Sequence, residues 1–370
     1  MSYRFFYISC LLSLSLSCYK SLEPISNDAI IIGFHAALLA VDEINANGGL
    51  LDNSQIELVT RTNIEEASAA VQAAQQMIQD DGVFAILGPN RSTHAVQIGP
   101  VVQRAQIPMI TTAATNPNVT RAGDYVFMAA FTDQFQGAVL ARFAWEDLGK
   151  SVAAVLTLEG DVYTEGISMF FISHFTELGG TVVANEIYAA GDTTFTEQLG
   201  RISEAEPDVF FISGLVSDMT HVVRETRTAP VMNAQGTPVT LLGADAWDNP
   251  LFLDAVPAEV EGSFFSGHFS AESTEPGARM FVEAYVAAYQ RTPSGGDAVS
   301  YDAVRLLSEA VKRARSFEGE VVRDQLAATR DYRGATQIAR YDENRHPTKS
   351  AVILTIRDGE RRFFKEVGAQ

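Results

Sequence analysis

The sequence predicts an α/β fold of two Rossmann-like lobes, each built on a parallel sheet flanked by helices. Three observations lead there. Short β-rich runs alternate with amphipathic helices through connections of about 2–6 residues, which is the pattern of parallel strands joined by crossover helices. The alternation runs once and then restarts near residue 134, so two sheets are expected. The chain has 370 residues, more than one small core needs.

In chain order, Arg4 precedes an apolar run from Phe5 to Leu16. At about 12 residues it is too short to span a bilayer as a helix and reads as a signal-peptide core, residues 1–18 forming the leader. Ser15-Leu16-Ser17-Cys18 is similar to a lipoprotein cleavage box, with Ser15 where leucine is expected. Lipid anchoring at Cys18, a plain signal peptide and a misassigned start all stay open. Cys10 and Cys18 are the only cysteines, so the body of the chain has no disulfide. No later stretch is long and apolar enough to cross a membrane as a helix.

The first body helix carries Phe34, Ala37, Leu38, Val41 and Ile44 at helical spacing and stops at Asn47-Gly48-Gly49, where glycine takes the left-handed cap. A strand follows at Ile56–Thr60, then a helix with Ala67, Val71, Ala74 and Ile78. Val83–Leu87 is the continuous apolar run of a buried parallel strand. The next helix opens after Gly88-Pro89-Asn90-Arg91 with Ser92 as its N-cap. Ile107–Thr111 and Val126–Ala129 read as strands. The second series runs through a helix over Gln134–Leu148, strand Val152–Leu156, and a helix burying Ile167, Phe170, Phe171, Phe175 and Leu178. Strand Thr181–Ile187, helix Phe195–Ala205, strand Val209–Ser213, helix Asp218–Thr226 and strand Val239–Gly243 follow. Two long helices, Gly277–Tyr289 and Ala298–Ala314, and a shorter one at Glu320–Ala327 come next. The chain is expected to close with a strand pair, Gln337–Tyr341 against Ala351–Arg357.

Composition excludes some roles. The net charge is −19, which argues against nucleic acid and anionic lipid as partners. No G-x-S-x-G elbow, G-x-G-x-x-G turn, phosphate loop, C-x-x-C or H-E-x-x-H is present. The 6 histidines are scattered without metal-ligand spacing. The chain reads as a binding protein with no enzyme activity, metal or cofactor.

In open parallel sheets a ligand lies beyond the carboxyl ends of the strands, so the turns there are where a site is sought. At Gly88–Thr93, Ser92 and Thr93 open a helix directly after a buried strand. First-turn amides lack intrahelical partners and the helix end is partly positive, which suits a carboxylate. The alternative is that Ser92 only caps its helix.

Several segments together carry a family resemblance over residues 34–360. They are Ala40-Val41-Asp42-Glu43-Ile44-Asn45-Ala46-Asn47-Gly48-Gly49, Gly88-Pro89 with Ser92-Thr93, and Ala113-Ala114-Thr115-Asn116-Pro117. Tyr163 with Gly166, Asp245 after Leu242-Gly243, Ser300-Tyr301-Asp302-Ala303, and Tyr341-Asp342-Glu343-Asn344 complete the set. The sequence resembles the branched-chain amino-acid-binding proteins of ABC importers, with the type I periplasmic binding protein fold. That resemblance implies an exported protein of the periplasm or cell envelope, working with separate permease and ATPase chains on a small ligand, an amino acid or a close relative. A ligand sensor of the same fold is the alternative.

The resemblance also implies site residues. The Ser92 hydroxyl, with the amides around Thr93, would hold the ligand carboxylate. Within the Ala113-Ala114-Thr115 segment, Thr115 would give its N–H to that carboxylate and its hydroxyl to the ammonium, which also meets the Ala113 carbonyl. Asp245 would be the ammonium's charge partner, and Tyr163 would cover the ligand. Three crossovers near Phe131, His268 and Tyr341 would form a hinge. They divide the chain into one lobe of residues 19–131 and 268–341 and another of 132–267 and 342–370. Where the family begins with a strand and a loop before its first helix, only a short stretch separates Cys18 from Phe34. Either Ala29–Phe34 is that strand, or the helix starts near Ile30 with Ser21–Ser26 a remnant strand, the slightly preferred reading. Both leave the first ligand-facing loop absent or abbreviated.

Overall fold

The computed structural model describes residues 3–8, 33–61 and 64–369. The chain separates into two compact units. Residues 1–130 and 275–348 form the first, and residues 131–274 and 349–370 the second.

The first unit starts with β1 (Tyr3–Ile8), α1 (Phe34–Ala46), β2 (Ile56–Arg61), α2 (Ala67–Gln79), β3 (Ala85–Leu87), α3 (Ser92–Ala105), β4 (Met109–Thr111) and β5 (Val126–Met128). Its five-stranded sheet has the order β2-β1-β3-β4-β5, and every pairing is parallel. On one face Ile86, Met109, Val126 and Met128 pack with Ala70, Ala74 and Met77 of α2 and Ala95, Ile98 and Val102 of α3. Successive strand residues point to opposite faces, so Leu87, Ile110 and Phe127, all buried, serve the other side. The motif around Asn45 acquires a reason here. The Asn45 side chain accepts from Ile56 N–H at 2.7 Å and donates to Ile56 C=O at 2.9 Å, pinning α1 to the start of β2. Between them Gly49 takes a positive φ of 74° and donates to Ile44 C=O, closing the helix end.

No strand was foreseen at β1. Tyr3–Ile8 lies inside the sheet, paired from Tyr3↔Ile56 to Ile8↔Arg61 on one side and from Phe5↔Ala85 on the other. A strand with two neighbours is part of the sheet's framework. A short apolar run fits a buried parallel strand as well as a leader core. Cys10, Cys18 and Ser21–Ser26 lie outside the described residues. Helix α1 begins at Phe34 rather than Ile30. Gly33, at φ 86°, is its N-cap and donates to Asp297 Oδ1 at 3.2 Å. The first strand is therefore neither of the two expected, and residues 9–32 connect it to α1.

The second unit comprises α4 (Asp133–Arg142), β6 (Val152–Leu158), α5 (Val162–Glu177), β7 (Thr181–Tyr188), α6 (Thr196–Glu204), β8 (Val209–Ser213), α7 (Val216–Thr228), β9 (Thr240–Gly243), α8 (Pro250–Ala255) and β10 (Phe264–Gly267). Its strand alternation sorts residues cleanly between two cores. Ala153, Val155, Val209, Phe211, Leu242 and Ile353 face Leu140 of α4 and Phe171 and Phe175 of α5. Ala154, Leu156, Phe210, Ile212, Leu241 and Leu354 face Leu199 and Ile202 of α6, Val222 of α7 and Phe252 of α8. Each fully buried phenylalanine contributes about 1.5–3 kcal/mol.

The chain then returns to the first unit for α9 (Pro276–Tyr289), α10 (Gly295–Ala314), α11 (Gly319–Ala327), β11 (Arg330–Arg333), β12 (Gln337–Tyr341) and β13 (Pro347–Thr348), and ends in the second with β14 (Ala351–Arg357) and β15 (Glu360–Val367). In the resemblance segment at Ser300–Ala303, Asp302 is fully buried in α10. It accepts from Tyr332 Oη, Ala335 N, Thr336 N and Thr336 Oγ1 at 2.6–2.8 Å, so it is an anchor for the β11–β12 turn. The expected closing pair does not form. β12 pairs with β11 and β13, whereas β14 lies between β15 and β10 in the second unit's sheet. The chain passes between the units after residues 130, 274 and 348. Arg345 donates to Val126 and Thr120 carbonyls and His346 bonds Thr120 Oγ1, which ties residues 342–348 to the first unit.

Candidate functional site

The first unit contributes the turns after β3 and β4. Ser92 is the first residue of α3 and not its cap; Arg91 occupies the cap and no side chain there bonds the helix amides. The Ser92 hydroxyl instead accepts from Thr115 N and Asn116 N, both at 3.2 Å, tying the two turns together. The reading of Ser92 as a plain helix cap therefore fails. Thr115 N–H, expected to serve a carboxylate, is given to Ser92. The Thr115 side chain is 0% exposed and its Oγ1 has no partner in this structure. Ala114 is a core residue, packed with Ile86 and Met109. Thr93 and Ala113 are half-buried beside them. Asn116 caps the short turn over Pro117–Ala122, accepting from Asn118 N at 3.0 Å. In this unit the structure thus gathers Ser92, Thr115 and the uncapped start of α3.

The second unit contributes a buried cluster around Asp245. The residue opens a short 3-10 turn, Asp245–Trp247, directly after β9. That turn is held by Trp247, which is fully buried, lies against Gly243 and donates Nε1–H to Ile212 C=O at 3.3 Å. The Asp245 side chain is 8% exposed. Its Oδ1 accepts from Gln136 Nε2 at 2.9 Å and Tyr163 Oη at 2.8 Å, and its Oδ2 faces His268 Nε2 at 3.2 Å. Burial opposes the charged form of Asp245, but His268, Gln136 and Tyr163 together outweigh it and hold the carboxyl below its usual range. The Tyr163 hydroxyl is pushed well above its ordinary value, first by burial and then by the Asp245 charge. Asp161 caps α5 by accepting from Tyr163 N and Thr164 N, which fixes where Tyr163 starts.

Sequence reasoning found Asp245 and Tyr163 but missed Gln136 and His268. A signal existed for the first. Asp133, Gln136, Gly137, Leu140 and Ala141 occupy one helical stripe and are all buried, so two polar side chains sit where apolar ones are expected. Gly137 lets α4 approach α5; a Cβ there would meet Phe170 Cβ at 2.6 Å. His268 follows β10, a strand missed in the sequence.

Two units with mostly parallel sheets, polar groups gathered beyond the strand ends, and no group of metal-ligating residues among those described define a small-molecule binding protein. Residues 33–361 match the family model described as Periplasmic binding protein, and the chain belongs to that family. It is 25% identical over 286 residues to the Leu/Ile/Val-binding protein BraC3 of Rhizobium johnstonii, covering 77% of this chain and 75% of that protein. The leucine-binding protein LivK of Thermotoga maritima superposes with a TM-score of 0.87 at 29% identity, covering 99% of each chain. The branched-chain amino acid binding protein LivJ of Streptococcus pneumoniae, solved with isoleucine, gives 0.86 at 26% identity over 99% of each chain. A Rhodopseudomonas palustris solute-binding protein solved with benzoate shares the fold at 0.82, with 17% identity. The type I periplasmic binding fold is thus established, and the chain is a solute-binding protein of the branched-chain amino-acid ABC transporter type rather than an enzyme. Membership implies work outside the cytoplasm.

Proposed function

We propose that the chain captures a free amino acid, of the aliphatic kind named for its relatives, and delivers it to a membrane permease powered by an ATPase. The carboxylate is held at the start of α3 by its first-turn amides and the Ser92 hydroxyl. The ammonium is held by Asp245, with the Thr115 hydroxyl and the Ala113 carbonyl. Ligand contacts from both units favour a closed form, in which a permease distinguishes loaded from empty protein. The observation that carries this reading is the Thr115 hydroxyl. It is fully buried and unpartnered beside an uncapped helix start, which is costly unless a polar ligand arrives. A zwitterion needs separate partners for its two charges, donors such as the first-turn amides of α3 for the one and a carboxylate such as Asp245 for the other.

Thermal melting against amino acids, their amides and aromatic acids tests the reading. A ligand at 100 times its dissociation constant stabilises by about 2.7 kcal/mol, so aliphatic amino acids are expected to raise Tm. No rise with any amine-bearing ligand sinks the proposal.

A further inference from the structure

We propose that Gln136 is a specificity-determining residue of the amine half of the site. Its side-chain carbonyl, beside Asp245, accepts from a ligand's protonated amine, so the protein takes an amino acid and rejects the same acid without its amine. The inference rests on the amino-acid reading above and adds a residue and a selection rule to it.

The argument begins with lone pairs. Asp245 Oδ1 already accepts two hydrogen bonds and Oδ2 one. A carboxylate oxygen offers about two sites, so Asp245 has about one position left, whereas an ammonium brings three donors. Within this unit the next acceptor beside it is the Gln136 side-chain carbonyl. The Gln136 amide nitrogen must point at Asp245, because an ionised carboxylate has no hydrogen to give. The amide oxygen is thereby directed away from that bond. It belongs to a residue that is 0% exposed, and it has no partner in this structure. His268 Nδ1 is likewise without a partner, on a side chain whose residue is 6% exposed. Two buried polar atoms thus stand unmet on two of the three side chains that hold Asp245.

Charge points the same way. Asp133 is fully buried one turn before Gln136, and its charge, like that of Asp245, is felt at the Tyr163 hydroxyl. His268 Nε2 lies 3.2 Å from Asp245 Oδ2. A ligand lacking the amine would leave the open position on Asp245 and the Gln136 carbonyl unmet. Rejection through unmet acceptors is how a site discriminates against a near-isostere.

Calorimetric titration of the full chain with L-leucine and with 4-methylpentanoate, the same skeleton lacking the amine, provides the test. The unaltered chain is expected to bind leucine and to show no saturable heat with 4-methylpentanoate. Gln136→Met keeps the length of the side chain and removes the acceptor. It is expected to weaken leucine about tenfold (~1.4 kcal/mol). Gln136→Glu retains an acceptor oxygen whether protonated or ionised and is expected to keep the preference for leucine. A leucine affinity in Gln136→Met within threefold of the unaltered chain overturns this inference alone, and so does loss of the preference in Gln136→Glu. Failure of the unaltered chain to bind leucine or any other amino acid overturns the amino-acid reading with it. If Gln136→Met does not fold, the Gln136→Glu comparison decides.

Discussion

Replacing Asp245 by alanine removes the acceptor of three buried donors at once, Gln136 Nε2, Tyr163 Oη and His268 Nε2. Each buried donor left unmet costs about 1–3 kcal/mol, so three cost about 3–9 kcal/mol before relaxation. Relaxation of the cluster offsets part of this, so about 4 kcal/mol is the expected loss. For a unit of this size each kcal/mol moves Tm by about 2–4 °C, which places the drop near 8–16 °C in the absence of any ligand. Asp245→Asn keeps the shape and one acceptor oxygen, so it should fall by roughly half as much. Differential scanning calorimetry of ligand-free protein reads both. A fall in Asp245→Ala of less than about 3 °C would refute the reasoning, because the three bonds would then not be holding the carboxylate. The result also governs how binding is probed. Loss of ligand response in Asp245→Ala mixes recognition with stability, and Asp245→Asn separates them better.

Three other outcomes are expected. A chain starting at residue 9 lacks the strand between β2 and β3 and should lose the cooperative melting of the first unit, checked by calorimetry and near-ultraviolet circular dichroism. Gly243→Ala puts a Cβ 2.2 Å from the Trp247 ring; overpacking of this kind costs about 1–3 kcal/mol, and urea unfolding should register it. For acid, the sign follows from the lowered Asp245 carboxyl. The folded state favours the charged form, so its contribution is present above the ordinary value of 3.8 and is lost as pH falls below it. Denaturant midpoints between pH 5 and pH 2.5 should therefore fall less steeply for Asp245→Asn than for the unaltered chain.

The strand–helix alternation was legible because buried parallel strands and amphipathic helices leave different periods in the sequence. Val83–Leu87 and the Phe171–Phe175 helix are clear cases. β10 escaped because Phe264–Gly267 is short and follows a turn-rich stretch, and β1 because an apolar run near an amino terminus reads as a leader. The site was legible in part. Ser92, Thr115, Tyr163 and Asp245 stand in motifs, and motifs mark positions without fixing who bonds whom. That Ser92 is a clasp between two turns, and that Asp245 is already held by a histidine and a glutamine, depend on contacts across 23 and 109 positions of chain. No local pattern carries that information.

The last third of the chain has a bearing on how the molecule is made. Asp297, which secures Gly33, and Asp302, which secures the β11–β12 turn, both reside in α10, and β14 is an interior strand of the second unit's sheet. Neither unit can be completed on the ribosome until its own second segment has been synthesised. Nascent chains ending before residue 351 lack β14 and β15 and so leave one edge of β10 bare. Completion of both units should therefore come late, the first waiting for residues up to 348 and the second for the two strands that follow.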